Sequence, residues 1–139
     1  MVDGENKRAH LNMIQGVITR MGTNSFALKG WSVGIMIAIY AFAGNNSHKA
    51  VIVTLVPLIT MWLLDSYYSM LERKFRNLYD EVRKLKEKDI DFNMNFNSTK
   101  INMIDVKKYG YFNIVFSKSI LPFYAVCIIS TLIIYFVKF

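Results

Sequence analysis

Apolar and polar positions form long blocks along this chain, and the transition between two of these blocks is its most informative feature. Between residues 61 and 85 an apolar stretch becomes charged without a helix-breaking residue. Leucine recurs there every seven residues, and another apolar residue follows each of the first three leucines by four positions, as in a coiled coil. The seam consists of Leu64, Tyr68, Leu71, Phe75, Leu78, Val82 and Leu85. The pattern predicts one helix that leaves a membrane and continues into water. Its seam contacts either another subunit or its own chain.

Three apolar blocks are candidate membrane segments: residues 26–43, 50–64 and 120–137. A transmembrane helix needs about 20 apolar residues to cross roughly 30 Å of hydrocarbon. The short polar turn at residues 45–49 separates the first two blocks, so we expect them to form an antiparallel helical hairpin. Because the second block is short, either flanking residues extend it or the bilayer is thinned around it.

The first block is preceded by a helix and carries a stripe of small residues. Apolar residues at helical spacing predict an amphipathic helix over residues 1–23, with Gly22 as its C-terminal stop. In the following helix Gly30, Gly34 and Ala38 recur every four residues, which allows the backbone of another helix to approach closely. The alternative is glycine without a partner, since glycine is common in membrane helices.

After residue 89 the apolar pattern changes from a helical period to strict alternation. Apolar residues occupy every second position from 90 to 96, and aspartate or asparagine fills the positions between them. A period of two predicts a strand with one apolar face. Residues 97–100 suit a turn and residues 101–106 a return strand, which together give a small β-hairpin. Such a hairpin is marginal in water unless a membrane surface, the long helix or another subunit supports it.

Basic residues indicate how the chain is oriented. Fifteen of the 17 lysines and arginines lie in residues 1–29 and 66–119, while Lys49 and Lys138 lie on the other side of the predicted membrane. The positive-inside rule therefore places the N-terminus in the cytoplasm. The predicted fold is an all-α membrane protein, homo-oligomeric, with four segments. They are a cytoplasmic amphipathic helix (1–23), a transmembrane hairpin (24–65), a long cytoplasmic helix with the short β-hairpin (66–119) and a C-terminal transmembrane helix (120–139).

Five charged residues near the predicted inner interface are candidate functional positions: Lys29, Asp65, Glu72, Arg73 and Arg76. Lys29 and Asp65 lie at the cytoplasmic ends of their apolar blocks, each near a tryptophan, so we expect them to pair. Asp65 and Glu72 share a heptad position, and Glu72 and Arg76 have the spacing of a helical ion pair. These residues form either a solvated helix face or, in a symmetric oligomer, rings of charge that act in selectivity or gating.

No pattern of a known catalytic, cofactor or metal site occurs in the sequence, including a phosphate-binding glycine loop, a nucleophile elbow and HExxH. His10 and His48 fall on opposite sides of the predicted membrane and cannot share a metal, so we expect each to be solvated or interfacial. The net charge of +7 permits nucleic-acid binding, but Tyr68 and Phe75 lie on the seam and not among the basic residues. We therefore predict a non-enzymatic protein without catalytic residues, cofactor, metal or nucleic-acid partner.

Three segments together resemble one protein family. They are RMGTNSFALKGW (residues 20–31), LLDSYYSMLERKFRNLYDEVR (residues 63–83) and FSKSILPFY (residues 116–124). In their order, and over nearly the whole chain, they are similar to the signature segments of the RipA-like octameric membrane proteins, which are small bacterial inner-membrane proteins. The resemblance implies a homo-oligomer in the cytoplasmic membrane, with the octamer as the state described for the family, and no established enzyme chemistry.

Two functions from different classes remain open. The first is an oligomeric scaffold or interaction platform in envelope or stress homeostasis, with the bilayer, further copies of the chain and a cytoplasmic protein as partners. The second is a pore-forming or membrane-disrupting effector of a bacterial defence system. Short spans and a ring of charge favour the pore, while tryptophan-rich spans and the lack of a recognisable sensor domain favour the scaffold. Tyr68 and Phe75 are bulky for a two-helix seam, which favours more than two subunits.

Overall fold

Two long helices dominate the structure, a computed structural model that describes residues 4–42, 47–96 and 110–137. Helix α1 is Glu5–Phe42 and helix α2 is Ser47–Lys84, each of 38 residues. At about 1.5 Å per residue each is roughly 57 Å long, nearly twice the thickness of the hydrocarbon core of a bilayer. The continuous helix predicted from the second apolar block into the charged region is therefore present in α2.

The C-terminal part of the described chain is also helical. A 3₁₀ turn, Glu87–Asp89, follows α2. Helix α3 is Tyr111–Val115, and the apolar helix α4 is Leu121–Val137, with 17 residues. Helices α3 and α4 both pack against α2.

Helices α1 and α2 run antiparallel, and the 3₁₀ turn closes the end of the pair that holds the start of α1 and the end of α2. The carboxylate of Glu87 accepts hydrogen bonds from the backbone N–H groups of Asn6 (2.8 Å) and Lys7 (3.2 Å). These N–H groups lie in the first turn of α1, where no intrahelical acceptor exists and a negative charge is favoured by the helix dipole. Lys7 Nζ in turn donates to the carbonyl oxygen of Leu85 at 2.8 Å. The start of α1 and the end of α2 therefore cap each other.

Large apolar side chains are exposed mainly on one half of the structure. Examples are Trp31 on α1 (67% exposed), Ile52 on α2 (68%) and Phe136 on α4 (73%). In the most apolar 18-residue window of α1 only 11% of the residues are buried within the chain. An exposed apolar surface of this extent is unusual for a protein in water. Helices α1 and α2 are both long and apolar enough to cross a membrane, whereas α4 is apolar but shorter.

Each half of the helical pair has its own apolar core. In the charged half Ile14 and Ile18 of α1 pack against Leu78 and Val82 of α2, and all four are buried. In the apolar half Leu58 of α2 packs in a second cluster against buried residues of the C-terminal segment. These residues are Ile114, Ile120, Tyr124 and Cys127. The charged half therefore holds together by burial of its own side chains, as a water-soluble helical pair does.

The predicted β-hairpin is wrong, because no residue of the described chain is in a strand. The backbone N–H of Asn93 bonds to the Asp91 carboxylate (3.1 Å), and that of Asn95 bonds to the Asn93 side chain (2.9 Å). These local turns take the donors that a strand would offer to a neighbour, and Phe92 has a positive φ of 53°. Apolar side chains of the alternating segment, such as Met94, instead pack against the core of the charged half. The predicted return strand, residues 101–106, lies outside the described residues.

The predicted stop at Gly22 is also wrong, because α1 passes through it without interruption. The described part of the predicted separate segment 1–23 is therefore the first half of one helix that begins at Glu5. A glycine in a helix costs about 1 kcal/mol relative to alanine, and packing along α2 on both sides of Gly22 outweighs this cost. A side chain on Gly22 would meet the Glu72 carboxylate at 3.5 Å, so this face of α1 lies directly against α2.

Candidate functional site

A buried ion pair joins α1 to α2 at the level where their apolar segments end. Asp65 is fully buried, and Lys29 Nζ donates to its Oδ2 at 2.6 Å. The hydroxyl of Ser25 donates to Oδ1 of Asp65 and accepts a hydrogen bond from Lys29 Nζ at 3.0 Å. The pairing of Lys29 with Asp65 that the sequence predicts is therefore confirmed.

The helical repeat explains why these groups meet. Ser25 and Lys29 are four residues apart on one face of α1, and Asp65 and Ser69 have the same spacing on α2. The two faces oppose each other, with Ser25 Oγ 3.5 Å from Ser69 Oγ. A single charge at the centre of a membrane helix costs about 2.5–3.5 kcal/mol. The ion pair of Lys29 with Asp65 leaves no net charge on these two residues, which lie at the end of the apolar segments.

Arginine side chains extend the polar cluster toward the charged half of the helical pair. Arg73 Nη2 donates to Ser117 Oγ (3.3 Å) and to Ser119 Oγ (2.8 Å), so it holds the turn between α3 and α4 against α2. Arg76 donates through Nε (2.9 Å) and Nη2 (2.7 Å) to one oxygen of Glu72. This is the helical ion pair expected from the sequence.

A cavity of about 370 Å³ lies between these side chains. Four of the five predicted charges line it, namely Lys29, Glu72, Arg73 and Arg76. The fifth, Asp65, is bound to Lys29. The structure therefore brings all five candidate charges into one site at the end of the apolar segments.

The C-terminal segment is fixed to α2 through main-chain acceptors beside this site. Trp62 Nε1 donates to the carbonyl oxygen of Val115 at 3.1 Å, and the Tyr124 hydroxyl donates to that of Met61 at 3.3 Å. The Trp62 ring stacks on Tyr124, with centroids 5.9 Å apart, and meets the edge of Phe116 at 6.1 Å. Trp62 is therefore half-buried and joins α3 and α4 to α2.

The predicted seam is not one continuous exposed stripe. Leu78 and Val82 are buried against α1 of the same chain, and Phe75 packs beside them with its ring 5.4 Å from that of Phe96. Leu64 and Leu85, at the two ends of the seam, remain 43% and 38% exposed. The middle residues of the seam are half-buried: Tyr68 and Leu71. The C-terminal part of the seam thus packs on its own chain, which is one of the two contacts that the heptad pattern left open.

The stripe of small residues on α1 has no partner within the described chain. Gly30, Gly34 and Ala38 are all exposed. At Gly30 and Gly34, no described atom outside the helix lies within 4 Å of the position that a Cβ would take. The surface is therefore open to a second helix or to lipid.

His10 is placed differently from the expectation of a solvated or interfacial residue. It is fully buried in the charged half, where its Nε2 lies 3.2 Å from the carbonyl oxygen of Asn93 and its ring lies 5.5 Å from that of Phe92. The segment after α2 folds back and covers His10. The predicted strand did not include this contact.

The side chain of His48 lies outside the described residues. Within the described ranges no three metal-ligating side chains are grouped.

Four serines of the site were missed by sequence reasoning. Ser25 and Ser69 were detectable, because each lies four residues from a charged residue of the predicted pair and so shares its helix face. Ser117 and Ser119 had no such signal. Their approach to Arg73 depends on the fold of the turn between α3 and α4, which local patterns do not specify.

Comparisons with protein-family models, curated proteins and solved structures find no match to this chain. The resemblance to the RipA-like octameric membrane proteins stays a prediction.

Proposed function

We propose that this chain is a non-enzymatic, multi-pass protein of the bacterial inner membrane that assembles into a homo-oligomer and serves as a scaffold for cytoplasmic proteins. The observation that carries the proposal is the division of the helical pair into two halves. One half exposes large apolar side chains such as Phe26 (79%) and Val56 (65%). The other half buries its own apolar core and exposes charged residues.

The proposed topology has three spans, with the N-terminus in the cytoplasm and α4 as the third span. The distribution of basic residues, fifteen against two, supports this orientation. Exposed apolar residues along α4, such as Val126 (63%) and Ile133 (55%), suit contact with lipid. Helix α4 is roughly 26 Å long at about 1.5 Å per residue, so a locally thinned bilayer accommodates it.

The charged half of the helical pair supports a role as a platform. Residues 66–84 of α2 extend roughly 28 Å beyond the proposed membrane interface, at about 1.5 Å per residue. Burial of Leu78 (1% exposed) and Val82 (3%) against α1 makes this extension a rigid pair of helices. A rigid, charged projection of this kind is suited to binding a soluble protein.

The inward direction of the acidic residues favours a scaffold over a pore. A cation-selective ring of charge around a symmetry axis requires carboxylates that face neighbouring subunits. Asp65 is fully buried and bound by Ser25 and Lys29 of its own chain, and Glu72 is bound by Arg76. Asp65 is therefore not available to line an axis, and the charge of Glu72 is paired with that of Arg76.

Self-association is supported by surfaces that the single chain leaves uncovered. The small-residue stripe from Gly30 to Ala38 allows close helix contact, and Leu64 at the N-terminal end of the seam is 43% exposed. More than two subunits in closed rotational symmetry is the arrangement that we propose.

Reconstitution tests the proposal against the pore. The purified protein is placed in liposomes loaded with a self-quenched dye and with a potassium gradient, and its mass is measured by native mass spectrometry. We expect an oligomer of more than two chains and no flux of dye or potassium above that of empty liposomes. Flux that rises with the protein-to-lipid ratio would instead support a pore-forming effector.

A further inference from the structure

The cavity beside the buried ion pair has the chemistry of an anion site. It is lined by three cations, Lys29, Arg73 and Arg76, and by one carboxylate, Glu72, which is already bonded to Arg76. The hydroxyl of Ser69 also lines it. Its volume of about 370 Å³ lies in the range of small-molecule sites, about 300–1,000 Å³. Lys29 is paired with Asp65 and Arg76 with Glu72, so the positive charge that exceeds the negative charge here is that of Arg73.

Arg73 is the residue most clearly directed to a ligand. A guanidinium group has five N–H donors, and Arg73 uses Nη2 for two neutral serine hydroxyls. It has no carboxylate partner among the described residues. Guanidinium groups bind phosphate oxygens through pairs of N–H donors, and these bonds are stronger than bonds to neutral acceptors. Arg73 therefore has the spare capacity that an oxyanion would use.

The position of the cavity indicates where the anion comes from. Phe26 follows the lining residue Ser25 and is 79% exposed. Phe116 is 62% exposed and precedes Ser117, which accepts a hydrogen bond from the lining residue Arg73. The cationic cavity thus lies next to the exposed apolar surface. A ligand that fills both regions has an anionic head and an apolar tail. Basic pockets between membrane helices on the cytoplasmic side bind lipid headgroups in this way.

We propose that this cavity binds the phosphate headgroup of an anionic phospholipid, with Arg73 as its principal donor and Arg76 and Lys29 as additional cations. The proposal rests on the membrane location proposed above. The shared chemistry is that of a phosphate oxyanion. A free phosphate ion would use the same donors but would not need the apolar surface beside them.

Native mass spectrometry in mild detergent tests the lipid site. Wild-type protein is titrated with phosphatidylglycerol and, separately, with zwitterionic phosphatidylcholine of the same acyl chains. We expect preferential retention of phosphatidylglycerol and roughly tenfold weaker binding in Arg73→Gln, since a hydrogen bond to a charged group is lost. Arg76→Gln, at a side chain that is 62% exposed, keeps the test informative if Arg73→Gln fails to fold. It should also weaken binding, by a smaller factor.

Arg83→Gln is the matched control, because Arg83 lies on the same helix, is 63% exposed and does not line the cavity. We expect it to bind phosphatidylglycerol like the wild type. Equal retention of both lipids, or equal loss in Arg73→Gln and Arg83→Gln, would overturn the proposal. Displacement of phosphatidylglycerol by millimolar inorganic phosphate would overturn the lipid as the source and assign the site to free phosphate.

Alkaline extraction of membranes separates this proposal from the membrane location on which it rests. Wild-type protein that stays in the membrane fraction but shows no preference for phosphatidylglycerol refutes the lipid site alone. Wild-type protein that is released by alkali refutes the membrane location itself. We expect Arg73→Gln to remain in the membrane fraction, because the substitution leaves the exposed apolar side chains of α1, α2 and α4 unchanged.

Discussion

The ion pair between Lys29 and Asp65 allows the sharpest prediction about stability. Lys29→Met removes the ammonium group and leaves a fully buried carboxylate to which the hydroxyl of Ser25 still donates. Breaking a buried ion pair in this way costs about 3–5 kcal/mol. Asp65→Asn should cost less, about 1–3 kcal/mol, because Lys29 is 23% exposed and its ammonium can reach water or headgroups.

The double variant, Lys29→Met with Asp65→Asn, removes both charges and keeps an amide oxygen that accepts from Ser25. It should therefore be more stable than Lys29→Met alone. We expect a coupling energy of about 2–3 kcal/mol between the two positions, near the upper end of values for residues in contact.

Unfolding in mixed micelles by titration with sodium dodecyl sulfate measures these free energies. Tryptophan fluorescence is a suitable signal, because Trp62 packs against Tyr124 and Phe116, and Trp31→Phe at a 67% exposed position leaves Trp62 as the single tryptophan. A Lys29→Met variant within about 1 kcal/mol of the wild type, together with a coupling energy below about 0.5 kcal/mol, would refute the reasoning.

Three further predictions concern packing. Leu78→Ala should lower the free energy of unfolding by about 2–5 kcal/mol because Leu78 is 1% exposed, whereas Leu85→Ala, at 38% exposure, should change it by less than about 1 kcal/mol in the same titration. Gly22→Ala should raise the same free energy by up to about 1 kcal/mol, because the nearest carboxylate oxygen is 3.5 Å from the new Cβ. Gly30→Ile should shift the oligomer to smaller masses in native mass spectrometry, while Gly16→Ile, also without a described neighbour within 4 Å, should not. If both variants kept the mass of the wild-type oligomer, the stripe would face lipid and not another helix.

Features set by the helical repeat could be predicted from the sequence. The continuity of α2, the pairing of Lys29 with Asp65 and the pair of Glu72 with Arg76 all depend on which residues share a helix face. The antiparallel packing of α1 and α2 then brings the two faces together at matching depth. These parts of the fold follow from the period of the pattern and from the cost of unpaired charge in an apolar region.

Features set by competing local or tertiary contacts could not be predicted in this way. Alternation after residue 89 has the period of a strand, but aspartate and asparagine side chains bind the backbone N–H groups of Asn93 and Asn95. Gly22 has the local signature of a helix end, but contacts with α2 carry α1 past it. The contact of Arg73 with Ser119 depends on a turn whose shape is tertiary.

Cysteine accessibility tests the central claim most directly, namely that α1 and α2 cross the membrane with the charged half of the pair in the cytoplasm. Lys49→Cys and Lys88→Cys, both at exposed positions, are made in a Cys127→Ala background, since Cys127 is the single native cysteine. Intact cells are treated with a membrane-impermeant maleimide. We predict labelling of Lys49→Cys from outside and labelling of Lys88→Cys only after permeabilisation. Labelling of Lys88→Cys in intact cells, with Lys49→Cys protected, would contradict the orientation, and equal labelling of both would contradict the spans.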